Sequence, residues 1–469
     1  MIKISKSIRD LSIYLFTGGI VRLLPLIALP FIAAYLSPED FGIFSLYRLY
    51  IALGSALLLM GMEQGLFRFI AGQPEQIRNK LISTATLLIF IISILLVFVM
   101  ITHKNLFQLI LFTENHHQGI YLLPVLILLT TESTLLITVL KAERRTRRFL
   151  IITLTQSISF ITVFLAGLAM GFGLSAFFTA YIVSEISVYM LSGEMLRKAI
   201  SAGFDLSLLG KLLRIGLPLM GVAIANLLLY QTDHYLIKTI LDVESTGIYN
   251  YGYKFAAVSG MFVVLINNVW MPRLFEKGNA YDSDFIKEFS TLVMMACTGI
   301  YLLIVTFFRY GGSLLIPPGF EKSFQVLIIA GFGYLFYSHV QILDTLLILR
   351  KKTLYLFIIS IVSLVINFIL NLVLIPKYGM PGAAAVTTFS FFISWILILL
   401  YLGIYEKNLF SYKVIIEFLV VIIPAVTTIL FSSSLLSFFL FIAVFLFVIL
   451  RNKLFRSLIS SIKVSADDI

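Results

Sequence analysis

Cysteine is nearly absent from this chain, with Cys297 alone among 469 residues. One thiol allows neither an intrachain disulfide nor a thiolate metal cluster. Charge is scarce as well, at 13% of residues, against about 25% in soluble proteins. A chain this long in water would divide into roughly two or three domains with polar surfaces. Too few charges are present to cover them. A phosphate-cradling glycine loop, a Ser/His/Asp arrangement and a Cys/His metal spacing are also missing. These absences exclude a disulfide scaffold, a disordered chain and a soluble enzyme of those classes. What the sequence does have is apolar bulk: 60% hydrophobic residues, 42 Phe and a mean hydropathy of +1.02. The solvent implied is lipid.

A membrane helix needs about 20 mostly apolar residues, with charges gathered at its ends. Reading runs between polar breaks predicts fourteen helices, at 11–36, 42–70, 79–101, 119–141, 149–170, 174–197, 214–240, 246–273, 286–309, 323–349, 354–375, 381–404, 413–431 and 434–451. Only Phe431-Ser432-Ser433-Ser434 separates the last two, so a single re-entrant or strongly tilted segment is the other reading there. The first run contains Arg22, Pro25 and Pro30 and reads as a retained helix rather than a cleaved signal. Orientation follows from the basic residues. With the N-terminus cytoplasmic, five of 35 lie outside (Lys104, Lys238, Arg309, Lys322 and Lys377), three lie within helices, and the remaining 27 lie inside. The positive-inside rule then places both termini in the cytoplasm. The net charge of +11 is thus a topology signal and does not indicate nucleic acid. His103, His116 and His117 in the longest outside loop lack the carboxylate or thiolate frame of a metal site.

The chain also repeats itself. Leu36, Glu39, Gly42 and Ile43 match Leu241, Glu244, Gly247 and Ile248 at an offset of 205. Arg144-Arg145-Thr146 matches Lys351-Lys352-Thr353 at 207, and Gly173, Ala176 and Thr179 match Gly382, Ala385 and Thr388 at 209. Three matches in one order at nearly one offset predict two six-helix halves in parallel orientation, 1–200 and 201–405, followed by an added pair of helices and a basic tail in 406–469. Two such lobes can rock about a cavity, which points to a transporter.

Gly18-Gly19 and Pro25 followed by Leu36-Ser37-Pro38-Glu39-Asp40-Phe41-Gly42 resemble the opening of polysaccharide-unit flippases. So do Asp233 with Thr246-Gly247-Ile248-Tyr249 through Lys254, and Asn367 to Asn371 with Leu374-Ile375-Pro376-Lys377-Tyr378-Gly379-Met380-Pro381-Gly382. Over about residues 8–405 the chain is similar to the O-antigen and exopolysaccharide (Wzx-type) flippases of the MATE/MOP superfamily. That superfamily also holds multidrug exporters and the lipid II flippase. His234, where the family often has Arg or Lys, is a departure. The resemblance implies a bacterial inner-membrane protein that moves an undecaprenyl-pyrophosphate-linked oligosaccharide to the periplasmic leaflet by alternating access. Membrane lipids, and a polysaccharide polymerase and glycosyltransferases, are the partners it implies. No organic cofactor is expected, with Na⁺ or H⁺ as the coupling ion.

The residues themselves point to an anionic substrate. Arg22, Arg48 and Lys254 are the three bases inside helices. A charge at the bilayer centre costs about 2.5–3.5 kcal/mol on insertion scales, so each should face a polar interior. Arg48 and Lys254 lie at similar depth in repeat-equivalent helices, and a pyrophosphate takes arginine contacts in bidentate geometry. Structural pairing with the buried acids Glu132, Glu185 and Asp233 is the competing reading. Those acids, with Asp344 near an inner helix end, are candidates for the coupling cation. Gly18, Gly19, Pro25 and Pro30 are candidate hinge positions in the first helix, since proline removes a backbone donor. The last two helices read equally as a groove for a polyprenyl tail or as packing. Rival functions are a multidrug or metabolite exporter of the same fold and a polytopic polymerase or glycosyltransferase. The first would favour an acidic cavity and the second a large outside loop.

Overall fold

A computed structural model describes residues 19–21, 23–70, 73–103, 105–107, 111, 118–143, 145–277, 283–350, 352–405, 412–431 and 434–451. Among them the structure is all-helical, with no strand. Among the described residues, nine helices are long and apolar enough to cross a membrane. Where they are described, the fourteen predicted runs fall on helix. Two are divided, however. The run 42–70 breaks where Met60 and Gly61 both take positive φ (47° and 67°), and the run 246–273 breaks at Ala257. The last two runs fall on two separate helices, Tyr412–Phe431 and Ser434–Arg451.

The chain divides into two compact units, Met1–Gly247 and Ile248–Ile469. Unit 1 contains α1 (Gly19–Tyr35), α2 (Pro38–Leu59), α3 (Met62–Ile70), α4 (Glu75–Thr102), α5 (Leu123–Ala142), α6 (Thr146–Ala169), α7 (Ser175–Ile200) and α8 (Leu206–Ile240). The start of α2 follows from its sequence. Ser37 Oγ accepts from the Asp40 amide at 3.1 Å, Pro38 needs no donor in the first turn, and Glu39 and Asp40 face the positive end of the helix dipole. The core joins Leu59 and Met62 to Leu81, Ile82, Leu135, Leu136, Val188 and Leu212, so six helices converge on one apolar centre. The outward side of α4 is apolar too, with Ile91 61% and Phe98 64% exposed. A helix apolar on all sides suits lipid rather than water.

Glycines let α8 and the corner after it lie directly on α2. A Cβ on Gly42 would sit 2.1 Å from the Val243 carbonyl oxygen, and one on Gly247 1.9 Å from that of Pro38. These are the two repeat-matched glycines, and each receives the backbone of the other's corner. At the opposite end of α8, a Cβ on Gly216 would lie 2.5 Å from the Met60 carbonyl. Close backbone approach of this kind is how membrane helices associate where lipid and side chain are equally apolar.

Unit 2 contains most of α9 (Val243–Ala256), then α10 (Val258–Lys277), α11 (Ser283–Tyr310), α12 (Ser323–Leu349), α13 (Thr353–Tyr405), α14 (Tyr412–Phe431) and α15 (Ser434–Arg451). The two predicted runs within α13 are separated by a kink at Gly379 (φ 62°, ψ −144°), flanked by Pro376 and Pro381. Its two arms are joined by buried polar contacts: Ser363 to Ser394 at 2.7 Å and Asn367 Nδ2 to Ser390 Oγ at 3.2 Å. The last pair of helices is built into this unit. Phe418 of α14 stacks on His339 of α12 at 4.7 Å, and Trp395 Nε1 donates to His339 Nδ1 at 2.9 Å. The Phe441 ring of α15 fills the space that a Cβ on Gly299 would need.

Two predictions follow the packing. Gly247→Ala should lower the melting temperature of the purified protein, since overpacking a tight contact costs about 1–3 kcal/mol. An unchanged melting curve would show that the corner can move apart. The second concerns Asp205, which caps α8 by accepting from Ser207 N (2.9 Å) and Leu208 N (3.1 Å) and pairs with Lys80 at 3.0 Å. The Lys80 contact first, and the Leu208 amide second, hold its carboxyl below the usual range. Its stabilisation is therefore complete above the ordinary Asp range and is lost as pH falls through the depressed value. The melting-temperature gap between wild type and Asp205→Asn should be present at pH 7 and close on acidification.

Candidate functional site

Within unit 1, α2, α5, α6 and α7 bring polar groups together inside the bundle. From Phe41 to Ile51 every residue of α2 is buried except Arg48, which is exposed. Protein nevertheless surrounds its guanidinium: the Phe44 ring lies 5.8 Å away and the Tyr181 phenol is within electrostatic range. Arg48 is thus accessible while its neighbours along the helix are buried.

Tyr181 begins a stripe on α7. Tyr181, Glu185 and Tyr189 are spaced four apart and so share one helix face. Thr130 Oγ1 of α5 donates to the Tyr181 hydroxyl at 3.1 Å. Glu185 is 3% exposed, and its Oε2 accepts from Gln156 Nε2 of α6 at 3.1 Å. The hydroxyls of Ser133 and Thr130 are also near its carboxylate. Tyr189 donates to the Leu129 carbonyl at 2.9 Å and is within electrostatic range of both Glu132 and Glu185. Glu132 is 6% exposed. Neither of its carboxylate oxygens closes a hydrogen bond, although Thr86 is near. Arg48, Glu132 and Glu185, singled out separately in the sequence, thus belong to one polar interior.

The other candidates are distributed differently. Asp233, on α8, is buried and engages its neighbour: Oδ1 lies 2.8 Å from His234 Nδ1 and accepts from the His234 amide at 2.9 Å. Lys254 is partly buried in the last turn of α9, and Asp344 is partly buried on α12, both in unit 2. Gly19, Pro25 and Pro30 lie in α1, which continues as helix through both prolines. Arg22 and Gly18 fall outside the described residues.

Sequence reasoning missed several polar residues of unit 1. Lys238, counted as an outside residue, is 3% exposed, and its Nζ donates to the Leu111 carbonyl at 2.9 Å. The Tyr50 hydroxyl donates to the same carbonyl. Gln156, Tyr181 and Tyr189 carry no formal charge at neutral pH, so a search for buried charges passed over them. The spacing of 181, 185 and 189 is the signal that would have found two of them.

Comparison with known proteins decides the family. The family model described as "Polysaccharide biosynthesis protein" matches residues 7–277, more than half of the chain. The chain belongs to that family. It is 28% identical over 168 residues to the capsular polysaccharide biosynthesis protein CapF of Staphylococcus aureus, a match covering 34% of this chain and 42% of the relative. The chain thus spans less than half the length of that curated relative. The lipid II flippase MurJ in an inward closed conformation superposes with a TM-score of 0.67 at 18% identity, covering 95% of this chain and 99% of that one. An inward-facing multidrug-resistance MATE transporter of the MOP superfamily gives 0.60 at 14% identity, covering 85% and 98%. At these identities the likeness is one of fold. The protein is thus a multi-pass membrane member of the polysaccharide biosynthesis family, all-helical among the described residues, with the fold of those two transporters.

An unbonded carboxylate in a bundle interior is destabilising unless something binds it. Glu132→Met removes both oxygens at similar volume and should raise the melting temperature, by an amount equivalent to about 1–3 kcal/mol. Glu185→Met should lower it, because Gln156 would lose its acceptor. Destabilisation by Glu132→Met would show that its carboxylate has a partner in the resting protein.

Proposed function

We propose that this protein is a transporter that flips a lipid-linked oligosaccharide unit, carried on undecaprenyl pyrophosphate, from the cytoplasmic to the periplasmic leaflet for surface polysaccharide synthesis. Family membership supports polysaccharide biosynthesis, and the fold supports transport. The observation that carries the reading is Arg48, an enclosed but accessible guanidinium within a membrane helix. Lipid excludes such a group unless it faces a polar recess, and its planar fork matches phosphate oxygens. Arg22 and Lys254 are proposed as further contacts to the pyrophosphate.

The acids supply the coupling in this reading. Glu132 and Glu185, set among threonine, serine and amide oxygens, offer hard ligands suited to a proton or Na⁺. Asp233 and Asp344 are further candidates. Gly18, Gly19, Pro25 and Pro30 are proposed to let the first helix bend as access alternates. The bacterial inner membrane is the expected location, with a polysaccharide polymerase and glycosyltransferases acting before and after the flip. A multidrug exporter of the same fold is the second reading, favoured by the buried acids. The enclosed cation speaks against it.

In cells, Arg48→Ala should abolish surface-polysaccharide export while leaving membrane-inserted protein at wild-type amount. Arg22→Ala and Lys254→Ala should each reduce it. Normal export from all three variants would rule out an anion-binding interior. Export unaffected by collapse of the proton and Na⁺ gradients would remove the coupling role of the acids.

A further inference from the structure

A second basic site lies at one end of unit 1, where candidate membrane spans begin at Glu75 and Thr146 and others end at Ala142 and Lys198. A cup there is lined by Glu75, Arg78 and Asn79 of α4, Glu143, Arg145 and Arg148 at the α5–α6 corner, and Glu194 and Lys198 of α7. Its floor is rigid. The Glu143 carboxylate, 7% exposed, lies 2.6 Å from Arg78 Nε and 2.6 Å from Arg145 Nε. These are charge contacts whose geometry falls short of hydrogen bonds. Arg78 also reaches the rim, with Nη2 3.9 Å from Glu75.

The rim is loose by comparison. Arg148 is 3.6 Å from Glu194, and Lys198 is 3.2 Å from Glu194 and 3.7 Å from Glu75. All four rim side chains are about half exposed. Exposed ion pairs of this kind are weak and exchange readily. Four bases face three acids here, and the exposed Arg147 adds another positive charge beside them. The first turns of α4 and α6 open at the cup without a side-chain cap, so their amides add to the positive field. Asn79 contributes amide donors.

We propose that the cup is a binding site for a phosphate group presented by a lipid at that leaflet. The phosphate takes the place of the Glu194 and Glu75 carboxylates beside Arg148, Lys198 and Arg78, and meets Arg145. Glutamates at the rim hold the site when it is empty, and Glu143 keeps its floor in shape throughout. The donor set fits two sources of one chemistry, the headgroup of a bulk acidic phospholipid or the pyrophosphate of a lipid carrier. This site is independent of Arg48 and does not rest on the transport reading.

The test uses the full-length protein carrying Arg48→Ala, which removes the enclosed guanidinium from the measurement. Inorganic pyrophosphate is titrated by calorimetry in phosphatidylcholine nanodiscs, and retention of phosphatidylglycerol is read by native mass spectrometry. The Arg148→Gln/Lys198→Gln variant should weaken the bound probe roughly tenfold through loss of two charge-assisted contacts. Glu194→Gln should tighten it severalfold, because a competing carboxylate is removed. Phosphatidylglycerol following this pattern identifies the bulk lipid, and pyrophosphate following it identifies the carrier headgroup. Equal binding of both probes by parent and double variant, or weaker binding by Glu194→Gln, would overturn the proposal. The second outcome would make the rim a structural clasp. Export failing with Arg48→Ala while the cup binds normally separates this site from the functional reading.

Discussion

A guanidinium on a membrane helix must be kept out of lipid, and much of unit 1 can be understood as an answer to that constraint. Arg48 is the one exposed side chain in an otherwise buried stretch of α2, and protein surrounds it. The polar groups around it come from other helices: Tyr181 and Glu185 from α7, Thr130 from α5, Gln156 from α6. Each of these would itself be unfavourable facing lipid. Gathered in one interior, they provide one another with partners and leave the outer faces of the helices apolar.

Such an interior needs the surrounding helices held at fixed distances without a hydrophobic driving force between them. Backbone packing does this for α2 and α8. Gly42 and Gly247 receive carbonyls from each other's corners, and Gly216 lies on the turn at Met60 and Gly61. In unit 2 the same task falls to buried polar contacts along α13 and to the His339, Trp395 and Phe418 cluster. That cluster explains why the C-terminal helices belong to the unit, whatever further use their lipid-facing sides have.

Charge is disposed by a related logic. Interior charges are few and enclosed, while the ends of the spans carry dense mixed networks such as that around Glu143. A carboxylate pinned between two arginines suits the boundary, where water and headgroups reduce the expense of desolvation.

Much of this was readable without coordinates. Helix positions follow from apolar runs between charges, because bilayer thickness sets a length that a sequence must meet. The corner at Ser37-Pro38 follows from capping chemistry, and the prominence of Arg48 from its placement far from any helix end. Other features were not readable. The break at Met60-Gly61 lies inside an apolar run, so hydropathy passes over it. The burial of Lys238 was not readable because sequence position gives depth along a helix but not the direction a side chain faces. The grouping of Glu132, Glu185, Gln156, Tyr181 and Tyr189 depends on how helices far apart in the chain rotate against one another. The sequence by itself therefore determined the solvent, the rough bounds of the helical stretches and the candidate charges, since each depends on local composition. Only the tertiary structure decided which of those charges share an interior, because contact between helices depends on their packing and is not encoded in any one segment.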